Sequence, residues 1–379
     1  MNSLLFKKIK TKIKQSGGFL GFDEYMQHVL YEPELGYYNN GNVIFGEHGD
    51  YATAPVISKF FSQSIAKFCD HLITTTGSST KTDSKMTSIL EIGAGNGQMA
   101  REVLHYMNSS HTTLHKYLIF EQSEHLRSIQ KKTILPGYKG SCAIEWLDQL
   151  PEKFTGIILA NEVLDALPAK CFCIKDKKIF ERGVTIKNEK FCWAETEASS
   201  NLKNVVEGLL KKIPHAIPEK YYSEINLQQD HFVRTLSKNL EEGFVILCDY
   251  GYSRNEYYNA ERDMGTLICH YRQNAHENPF INIGNQDITV SVDFSYISEI
   301  AQLSDFDLVA YTTQAQFVLS AGIIESFSIP KNIKEIQEVE GIKKLVLPSD
   351  MGEHFKTMVL AKNIKYKEII NMRDYRHQL

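Results

Sequence analysis

The feature that most constrains this chain is a glycine-rich turn, Glu91-Ile-Gly93-Ala-Gly95-Asn-Gly97, which follows an apolar segment and opens a segment of helical periodicity. Glycines let the backbone approach a ligand without Cβ clashes, and the first turn of a helix offers N–H groups that no helical carbonyl binds. A strand that ends in such a turn is typical of α/β sheets that bind a ligand there. The turn alone leaves open the alternative of a helix start without a ligand.

The spacing of the glycines argues against a dinucleotide. Dinucleotide-binding turns follow the pattern G-x-G-x-x-G, whereas here the third glycine comes one residue early and position 98 is Gln98. Glu91 would repel a pyrophosphate, but it suits a ligand with a cationic amino group and a sulfonium centre. Glu121 closes the next strand, where doubly wound sheets place a carboxylate that binds ribose hydroxyls. We therefore expect a cofactor site, with Asp148 after the third strand as a candidate contact to adenine.

Strand-like and helical segments alternate from Ile89 onward, which predicts a doubly wound α/β fold. Apolar strands separated by helices indicate a parallel sheet that is covered on both faces. The expected strands are SILEI, KYLIFE, SCAIEWL, GIILA (156–160), GFVILCD (243–249), FDLVAYTT (306–313) and HFKTMVLAK (354–362). The 379 residues exceed what such a core needs, so we interpret the remainder as an N-terminal section and insertions.

Four segments describe the expected domain organisation. They are a helical section with an active-site loop (1–88), the first part of the core (89–169), an inserted substrate-recognition subdomain (170–240) and the rest of the core (241–379) with a second insertion at about 251–293. Helices are expected near 2–15, 22–31 and 57–73. Residues 170–198 alternate as a small antiparallel unit, and residues 200–240 have helical character.

Charge and cysteine usage exclude several classes of protein. The chain has 42 Lys+Arg against 46 Asp+Glu, which argues against a general nucleic-acid binder. Its seven cysteines include no C-x-x-C pair, so neither a disulfide framework nor a metal site is expected. No segment approaches the roughly 20 apolar residues that cross a bilayer. The basic start lacks arginine and stops at Gly17, so we interpret it as a domain helix and favour the bacterial cytoplasm over the mitochondrial matrix.

A polar cluster, Asn161-Glu162-Val-Leu-Asp165, directly follows the fourth buried strand. A helix here would place the carboxylates of Glu162 and Asp165 on one face, where they could hold a guanidinium through charge-assisted hydrogen bonds. The alternative is that Asp165 caps a turn before Pro168 while Glu162 is solvated. Asp249 or Tyr250, at the end of the fifth strand, is expected to line the same pocket.

These segments together resemble the MidA-like family, which includes the mitochondrial complex I assembly-factor methyltransferases. The resemblance runs almost from end to end. The stretches that carry it include FDEYMQHVLYEPELGYY (22–38), FGEHGDYATAP (45–55), LEIGAGNGQMA (90–100), FEQSEHLRSIQ (120–130), ANEVLDALPAKCF (160–172), GTLICHYRQNAHENPF (265–280) and QDITVSVDF (286–294). The GYY, GDYATAP and NEVLDALP segments are not general methyltransferase features.

The resemblance implies a Rossmann-like class I methyltransferase that uses S-adenosyl-L-methionine and N-methylates an arginine of a protein such as a complex I subunit. The residues that match the family's cofactor positions are Gly93, Gly95, Gly97 and Glu121. Asn161, Glu162 and Asp165 match the loop after the fourth strand, and Asp50, Thr53 and Pro55 match the N-terminal loop, which is expected to contribute to the cofactor site. Two positions depart from the family pattern, since Val56 replaces an acid and Ser291 a histidine. The other functions considered are a non-catalytic assembly chaperone that retains the cofactor and an NAD-dependent oxidoreductase.

Overall fold

A computed structural model describes residues 3–42, 44, 49, 53–76, 86–110, 112–322, 330–366 and 372–379. Its helices are α1 (Ser3–Gln15), α2 (Phe22–Tyr31), α3 (Ala54–Ile57), α4 (Lys59–Thr75), α5 (Gln98–Ser109), α6 (Glu124–Ile134), α7 (Ser200–Leu210), α8 (Gln228–Asn239), α9 (Arg254–Tyr257), α10 (Phe294–Gln302), α11 (Gln314–Ser320) and α12 (Ile333–Val346). Its strands are β1 (Leu20–Gly21), β2 (Ser88–Ile92), β3 (Lys116–Phe120), β4 (Ala143–Leu147), β5 (Phe154–Asn161), β6 (Lys170–Lys175), β7 (Lys178–Lys187), β8 (Lys190–Glu197), β9 (Lys220–Ile225), β10 (Leu240–Tyr252), β11 (Ile268–Tyr271), β12 (Asn274–His276), β13 (Asp287–Thr289), β14 (Val292–Asp293), β15 (Asp307–Thr313) and β16 (Phe355–Lys362). None of these helices is both long and apolar enough to span a membrane.

The chain divides into two units, each of which combines three separate stretches of sequence. Unit 1 consists of Met1–Tyr51, Asp165–His231 and Tyr252–Tyr296, and unit 2 of Ala52–Leu164, Phe232–Gly251 and Ile297–Leu379. The segments expected from the sequence, 1–88, 89–169, 170–240 and 241–379, have different bounds from these. The difference arises because the N-terminal section is shared, with α1 and α2 in unit 1 and α3 and α4 in unit 2.

Unit 2 contains the predicted doubly wound sheet, which is confirmed. The strand order is β15-β16-β10-β5-β2-β3-β4. The five strands from β4 to β10 run parallel, and β16 is antiparallel to both of its neighbours. Every residue of β2 is buried, as expected for a strand covered on both faces. Helix α4 packs into the core, where Phe68 contacts Phe317 of α11 at 5.4 Å between ring centroids.

The order of the strands determines where unit 2 can bind a ligand. The chain leaves β2 towards β3 and β4 on one side and returns to β5 on the other side of β2. Ligands bind outside the carboxyl ends of the strands at such a switch point. The glycine turn follows β2, Glu121 follows β3 and Glu162 follows β5, so these three segments belong to one edge of the sheet.

Unit 1 is built on an antiparallel sheet in the order β1-β7-β6-β9, with β8 on the other side of β7, and on a smaller sheet in the order β12-β11-β13. Aromatic side chains join its N-terminal helices to the larger sheet. Phe6 lies 4.6 Å from Phe191 and Phe22 lies 4.9 Å from Trp193, both between ring centroids. This packing explains why residues at the start of the chain belong with segments that follow β5 and β10.

Two secondary-structure expectations were wrong in part. Residues 200–240 are not helical throughout, because Pro214 and Pro218 interrupt the helical pattern and Lys220–Ile225 pairs with β6 as strand β9. The helix expected over 57–73 is interrupted at Ser58, whose extended backbone separates α3 from α4 and whose hydroxyl caps α4.

Candidate functional site

The glycine turn after β2 has a backbone that other residues adopt only with strain. Gly93, Gly95 and Gly97 have φ angles of 69°, 52° and 82°. A Cβ at Gly97 would come within 3.1 Å of the Gln130 Cα, tighter than ordinary contact. The turn is held by a hydrogen bond from the Gly93 N–H to the Phe120 carbonyl at 3.0 Å. The result is a bare backbone surface at the start of α5.

Glu121 lies beside this turn, at the end of β3, and its side chain is buried. Its carboxylate accepts hydrogen bonds from the Ser123 N–H at 2.9 Å and from the Gln130 side chain at 3.2 Å. Burial raises the pKa of Glu121, while these donors act in the opposite direction. Each carboxylate oxygen has two acceptor positions, so the group can also receive ribose hydroxyls.

Gln130 is a site residue that the sequence reasoning missed. Its side chain is fully buried, and its amide nitrogen donates to the Gly95 carbonyl at 3.0 Å as well as to Glu121. Its amide oxygen accepts from Trp146 Nε1 at 2.9 Å. One side chain therefore fixes the glycine turn, the β3 carboxylate and the end of β4. The available signal was its place in the buried stripe Leu126, Gln130 and Ile134 of α6, where a polar residue needs partners.

Replacing Gln130 with leucine is expected to weaken S-adenosyl-L-methionine binding about 10-fold or more. The substitution leaves the Gly95 carbonyl, the Glu121 carboxylate and Trp146 Nε1 each short of one partner. Calorimetric titration measures this effect, with the exposed Gln228 changed to leucine as the control. Unchanged affinity in a folded Gln130→Leu protein would show that the cofactor site does not depend on this residue.

Glu91 is buried in the strand that leads into the turn. It accepts a hydrogen bond from the Tyr117 hydroxyl at 2.6 Å. Burial raises its pKa from 4.5 to about 7, which the Tyr117 hydrogen bond opposes and the Glu121 charge supports. The carboxyl group therefore changes its charge near neutral pH, beneath the turn where we expect a cationic cofactor.

The free energy of unfolding of the cofactor-free protein should depend on pH because the pKa of Glu91 is raised in the folded state. A raised pKa in the folded state stabilises the protein fully below 4.5, and the contribution is lost as the pH rises through about 7. Between about pH 5.5 and pH 8, Glu91 should account for a loss of about 2 kcal/mol. Glu91→Gln keeps an acceptor for Tyr117 and should lack this component. Urea unfolding at both pH values tests it, and parallel pH profiles for the two proteins would contradict it.

The segment after β5 is not helical, so the premise that Glu162 and Asp165 share a helix face was wrong. Glu162 has a φ of 53°, in the left-handed region, which costs a residue with a Cβ about 1 kcal/mol. Its N–H donates to the Cys248 carbonyl at 2.8 Å. Its Oε1 accepts from the Ala54 N–H at 3.3 Å and from Asn161 Nδ2 at 3.1 Å. The carboxylate is therefore held in place, which disfavours the solvated alternative.

Asp249 fixes the same segment from the neighbouring strand β10. Its buried carboxylate accepts hydrogen bonds from the N–H groups of Val163 at 3.1 Å and Leu164 at 2.8 Å through Oδ2. Its Oδ1 accepts from the Tyr250 N–H at 2.9 Å. This makes Asp249 a positioning residue for the backbone beside Glu162, and a direct contact with substrate stays a prediction.

The chain passes from unit 2 into unit 1 at Asp165. Residues of unit 1 donate hydrogen bonds to the carbonyls of Asp165, Ala166 and Leu167. The Asp165 carbonyl accepts from the Val290 N–H at 3.1 Å, and the Ala166 carbonyl from the Tyr31 hydroxyl at 2.8 Å. The Leu167 carbonyl accepts from the Asn226 side chain at 2.8 Å. The role of the Asp165 carboxylate stays a prediction.

The other expected cofactor residues have separate surroundings. Asp148 accepts a 2.6 Å hydrogen bond from Arg127, and its side chain is 88% exposed at the end of β4. Thr53 is the residue before α3, and Pro55 lies in its first turn. Asp50 lies outside the described residues. Contacts of these four residues with the cofactor stay predictions.

Three residues of the segments that resemble the family, Tyr37, Tyr38 and Ser291, lie within unit 1. Tyr37 is buried, and the Tyr38 hydroxyl donates to Asp287 at 3.0 Å. Ser291 is buried and donates its N–H to Thr266 Oγ1 at 3.0 Å. The Ser291 hydroxyl has no hydrogen-bond partner among the described residues.

Cys171 and Cys173 lie two residues apart on β6 and therefore share one face of the strand. Burial raises the pKa of both thiols. Within the described ranges, no group of three or more histidine, cysteine or acidic side chains has the arrangement of a metal site.

The residues at the carboxyl edge of the unit 2 sheet fit S-adenosyl-L-methionine. The left-handed glycines exclude side chains from the turn, the buried Glu121 suits a ribose, and Glu91 places a titratable acid under the turn. Gly93, Gly95, Gly97 and Glu121 would hold the cofactor. The fold and this site together define a class I S-adenosyl-L-methionine-dependent methyltransferase.

Comparison with known proteins agrees with this class. A family model for S-adenosyl-L-methionine-dependent methyltransferases, the MidA-like Methyltransf_28 model, matches residues 65–312. The chain belongs to this family. A COG1565 superfamily member from Burkholderia thailandensis, solved with bound S-adenosyl-homocysteine, is 32% identical, with a TM-score of 0.91 over 100% of this chain and 97% of that chain.

Curated relatives are more distant in sequence but also match over most of their length. The protein arginine methyltransferase NDUFAF7 homolog of Drosophila melanogaster is 24% identical over 94% of this chain and 84% of its own length. Human NDUFAF7, also named a mitochondrial protein arginine methyltransferase, is 24% identical over 94% of this chain and 83% of its own length. The protein is accordingly an S-adenosyl-L-methionine-dependent methyltransferase.

Proposed function

We propose that this protein transfers a methyl group to a guanidinium nitrogen of an arginine in a protein substrate, and that the substrate is a subunit of respiratory complex I. The names of the NDUFAF7 relatives support the arginine, and the family resemblance supports complex I. The observation that carries the proposal is the carboxylate of Glu162, fixed in a left-handed conformation at the switch point of the sheet. Strained residues of this kind cluster at functional sites.

The chemistry needs a group that orients the guanidinium and accepts its charge. An arginine side chain stays protonated well above neutral pH and is a poor nucleophile in that state. When bound, S-adenosyl-L-methionine supplies the electrophilic methyl group. The Glu162 carboxylate accepts hydrogen bonds from the guanidinium, directs one nitrogen and takes up the proton that this nitrogen must lose.

Neighbouring residues hold the Glu162 carboxylate and its segment in one conformation. Asn161 Nδ2 and the Ala54 N–H hold the Glu162 side chain, while Asp249 holds the backbone of Val163 and Leu164. Because these partners are present before substrate arrives, little reorganisation is needed during the reaction. Because Val56 and Ser291 depart from the family pattern, the protein substrate can differ from that of the relatives.

A methyl-transfer assay with purified components tests the proposal. The protein is incubated with S-adenosyl-L-methionine carrying a labelled methyl group and with complex I subunits of its own organism, and modified residues are mapped by mass spectrometry. We expect label on an arginine nitrogen. Label on another residue type would contradict the arginine assignment, and cofactor binding without any transfer would favour the chaperone alternative. The expected bacterial cytoplasmic location stays a prediction for cell fractionation.

A further inference from the structure

Unit 1 carries an arginine between two aromatic rings on the face of its antiparallel sheet. The guanidinium carbon of Arg182 lies 4.0 Å from the ring centroid of Trp193 and 4.5 Å from that of Tyr222. The strand register places Arg182 opposite Cys171 and Tyr222 opposite Cys173, so these side chains share one face. We call Trp193, Arg182 and Tyr222 the aromatic–arginine stack.

The Nε of the stacked Arg182 guanidinium is buried and lacks a hydrogen-bond acceptor among the described residues. Aromatic rings above and below a guanidinium attract its charge and exclude water, but they offer no acceptor in its plane. An arginine is always protonated, and its five N–H donors point outward in that plane. A buried donor without a partner is rare in folded proteins, so this arrangement of Arg182 calls for an explanation.

The nearby carboxylates accept hydrogen bonds from other residues. Burial raises the pKa of Glu224, and the charge of Arg182 opposes this shift. Glu224 lies opposite Cys171 on the same face, but it accepts from the Thr266 N–H at 2.9 Å and from Thr266 Oγ1 at 3.1 Å. Glu195 lies opposite Arg182, and its carboxylate pairs with Lys175 at 2.5 Å. The chain therefore places acids around Arg182 without using either one as its hydrogen-bond partner.

Further cations flank the stack. The ammonium groups of Lys175 and Lys220 lie 5.4 Å and 5.5 Å from the ring centroid of Tyr222. Lys178 projects from the same face, since it pairs with Lys175 in the register. Glu195 and Glu197 are the exposed acids of this face, so the positive charge is moderate. This balance suits a few carboxylates between apolar side chains better than a polyanion.

We propose that the aromatic–arginine stack is a docking site for an acidic segment of a protein. A carboxylate of that segment accepts hydrogen bonds in the plane of the Arg182 guanidinium, and Lys220 attracts a neighbouring acid. Apolar side chains of the segment contact the half-buried rings of Trp193 and Tyr222. That the acidic segment belongs to the protein substrate rests on the proposed function, whereas the docking site itself does not depend on it.

Fluorescence anisotropy with a labelled peptide tests the site in the full-length, cofactor-free protein. The probe is a short peptide in which glutamates alternate with phenylalanines, and its counterpart has glutamines in their place. We expect the glutamate peptide to bind about 10-fold tighter or more, with an affinity that falls as salt is raised. Equal binding of the two peptides would overturn the proposal, as would displacement of the glutamate peptide by an equimolar amount of inorganic phosphate.

Three variants locate the binding. Arg182→Met keeps an unbranched side chain between the rings but removes the charge and donors, so it should lose about 10-fold or more in affinity for the glutamate peptide. Arg182→Lys, which keeps the charge without the planar donors, should lose part of the affinity. Lys187→Met alters an exposed residue of the same strand on the opposite face and should bind as the original protein does. Unchanged binding by Arg182→Met would overturn the proposal.

Two further measurements separate this site from the methyltransferase function. In a Trp146→Phe background, Trp193 is the remaining tryptophan, so its fluorescence should change as the glutamate peptide is added. A constant signal during peptide binding would place the peptide elsewhere and overturn the proposal.

Calorimetry should show that Arg182→Met binds S-adenosyl-L-methionine as before, because the stack lies in unit 1 and the cofactor residues lie in unit 2. Loss of both bindings in Arg182→Met would indicate a general folding defect. In that case Arg182→Lys decides, because full affinity for the glutamate peptide together with intact cofactor binding in this variant would overturn the proposal.

Discussion

Replacing Glu162 with glutamine is expected to lower the rate of methyl transfer about 100-fold or more while leaving cofactor affinity unchanged. The glutamine oxygen can still accept from the Ala54 N–H and from Asn161 Nδ2, so the segment after β5 should keep its conformation. A neutral amide, however, cannot balance the charge of a guanidinium or take up its proton. Single-turnover transfer to a verified substrate and calorimetry with S-adenosyl-L-methionine measure the two quantities separately.

The matched control is Glu145→Gln. Glu145 lies on the edge strand β4 in unit 2, is 45% exposed and pairs with Lys116 at 3.0 Å, so it should have no effect on transfer. An ion pair this exposed contributes little to stability. Full transfer activity in Glu162→Gln would remove the carboxylate from the mechanism, and loss of cofactor binding would move its role to the cofactor site.

Replacing Asp249 with asparagine is expected to lower the free energy of unfolding by about 2–5 kcal/mol and to abolish most methyl transfer. The buried carboxylate accepts hydrogen bonds from the backbone of Val163, Leu164 and Tyr250 through both of its oxygens. An asparagine offers one oxygen, so its amide nitrogen must face at least one N–H group. The segment that holds Glu162 should therefore loosen.

Chemical denaturation and the transfer assay together measure this outcome. Asp374→Asn serves as the control, because Asp374 is 42% exposed and pairs with Arg376 on the surface of unit 2. Unchanged stability in Asp249→Asn would contradict its anchoring role. Lost stability with full transfer activity would show that the Glu162 segment does not depend on this anchor.

Local patterns sufficed for the parts of the fold whose residues are close in sequence. The strand Ser88–Ile92, the turn from Gly93 to Gly97 and the helix that follows form one continuous stretch, and the structure has them as expected. Glu121 could be placed because it ends the next strand of a parallel sheet. The strand Lys220–Ile225 was missed because its pairing partner Lys170–Lys175 lies far away in the chain.

The roles of side chains at the site could not be predicted, because they depend on hydrogen bonds between residues that lie far apart in the sequence. Gln130 joins Gly95, Glu121 and Trp146, and no pattern in the sequence identifies these three as its partners. Asp249 was expected to line a pocket, whereas its carboxylate holds the backbone of a segment 85 residues earlier. The left-handed conformation of Glu162 likewise follows from its neighbours on β10 and α3, and its own residue type does not favour it.

The sequence by itself determined the sheet, the glycine turn and the acid that closes the next strand, because these follow from periodicity and glycine's conformational freedom over short stretches. Only the tertiary structure decided which residues form each unit, where the Asn161–Asp165 segment is held and why Arg182 lies between Trp193 and Tyr222. Those features depend on hydrogen bonds and stacking between distant residues. Such contacts form when the chain folds and buries groups that must then satisfy one another.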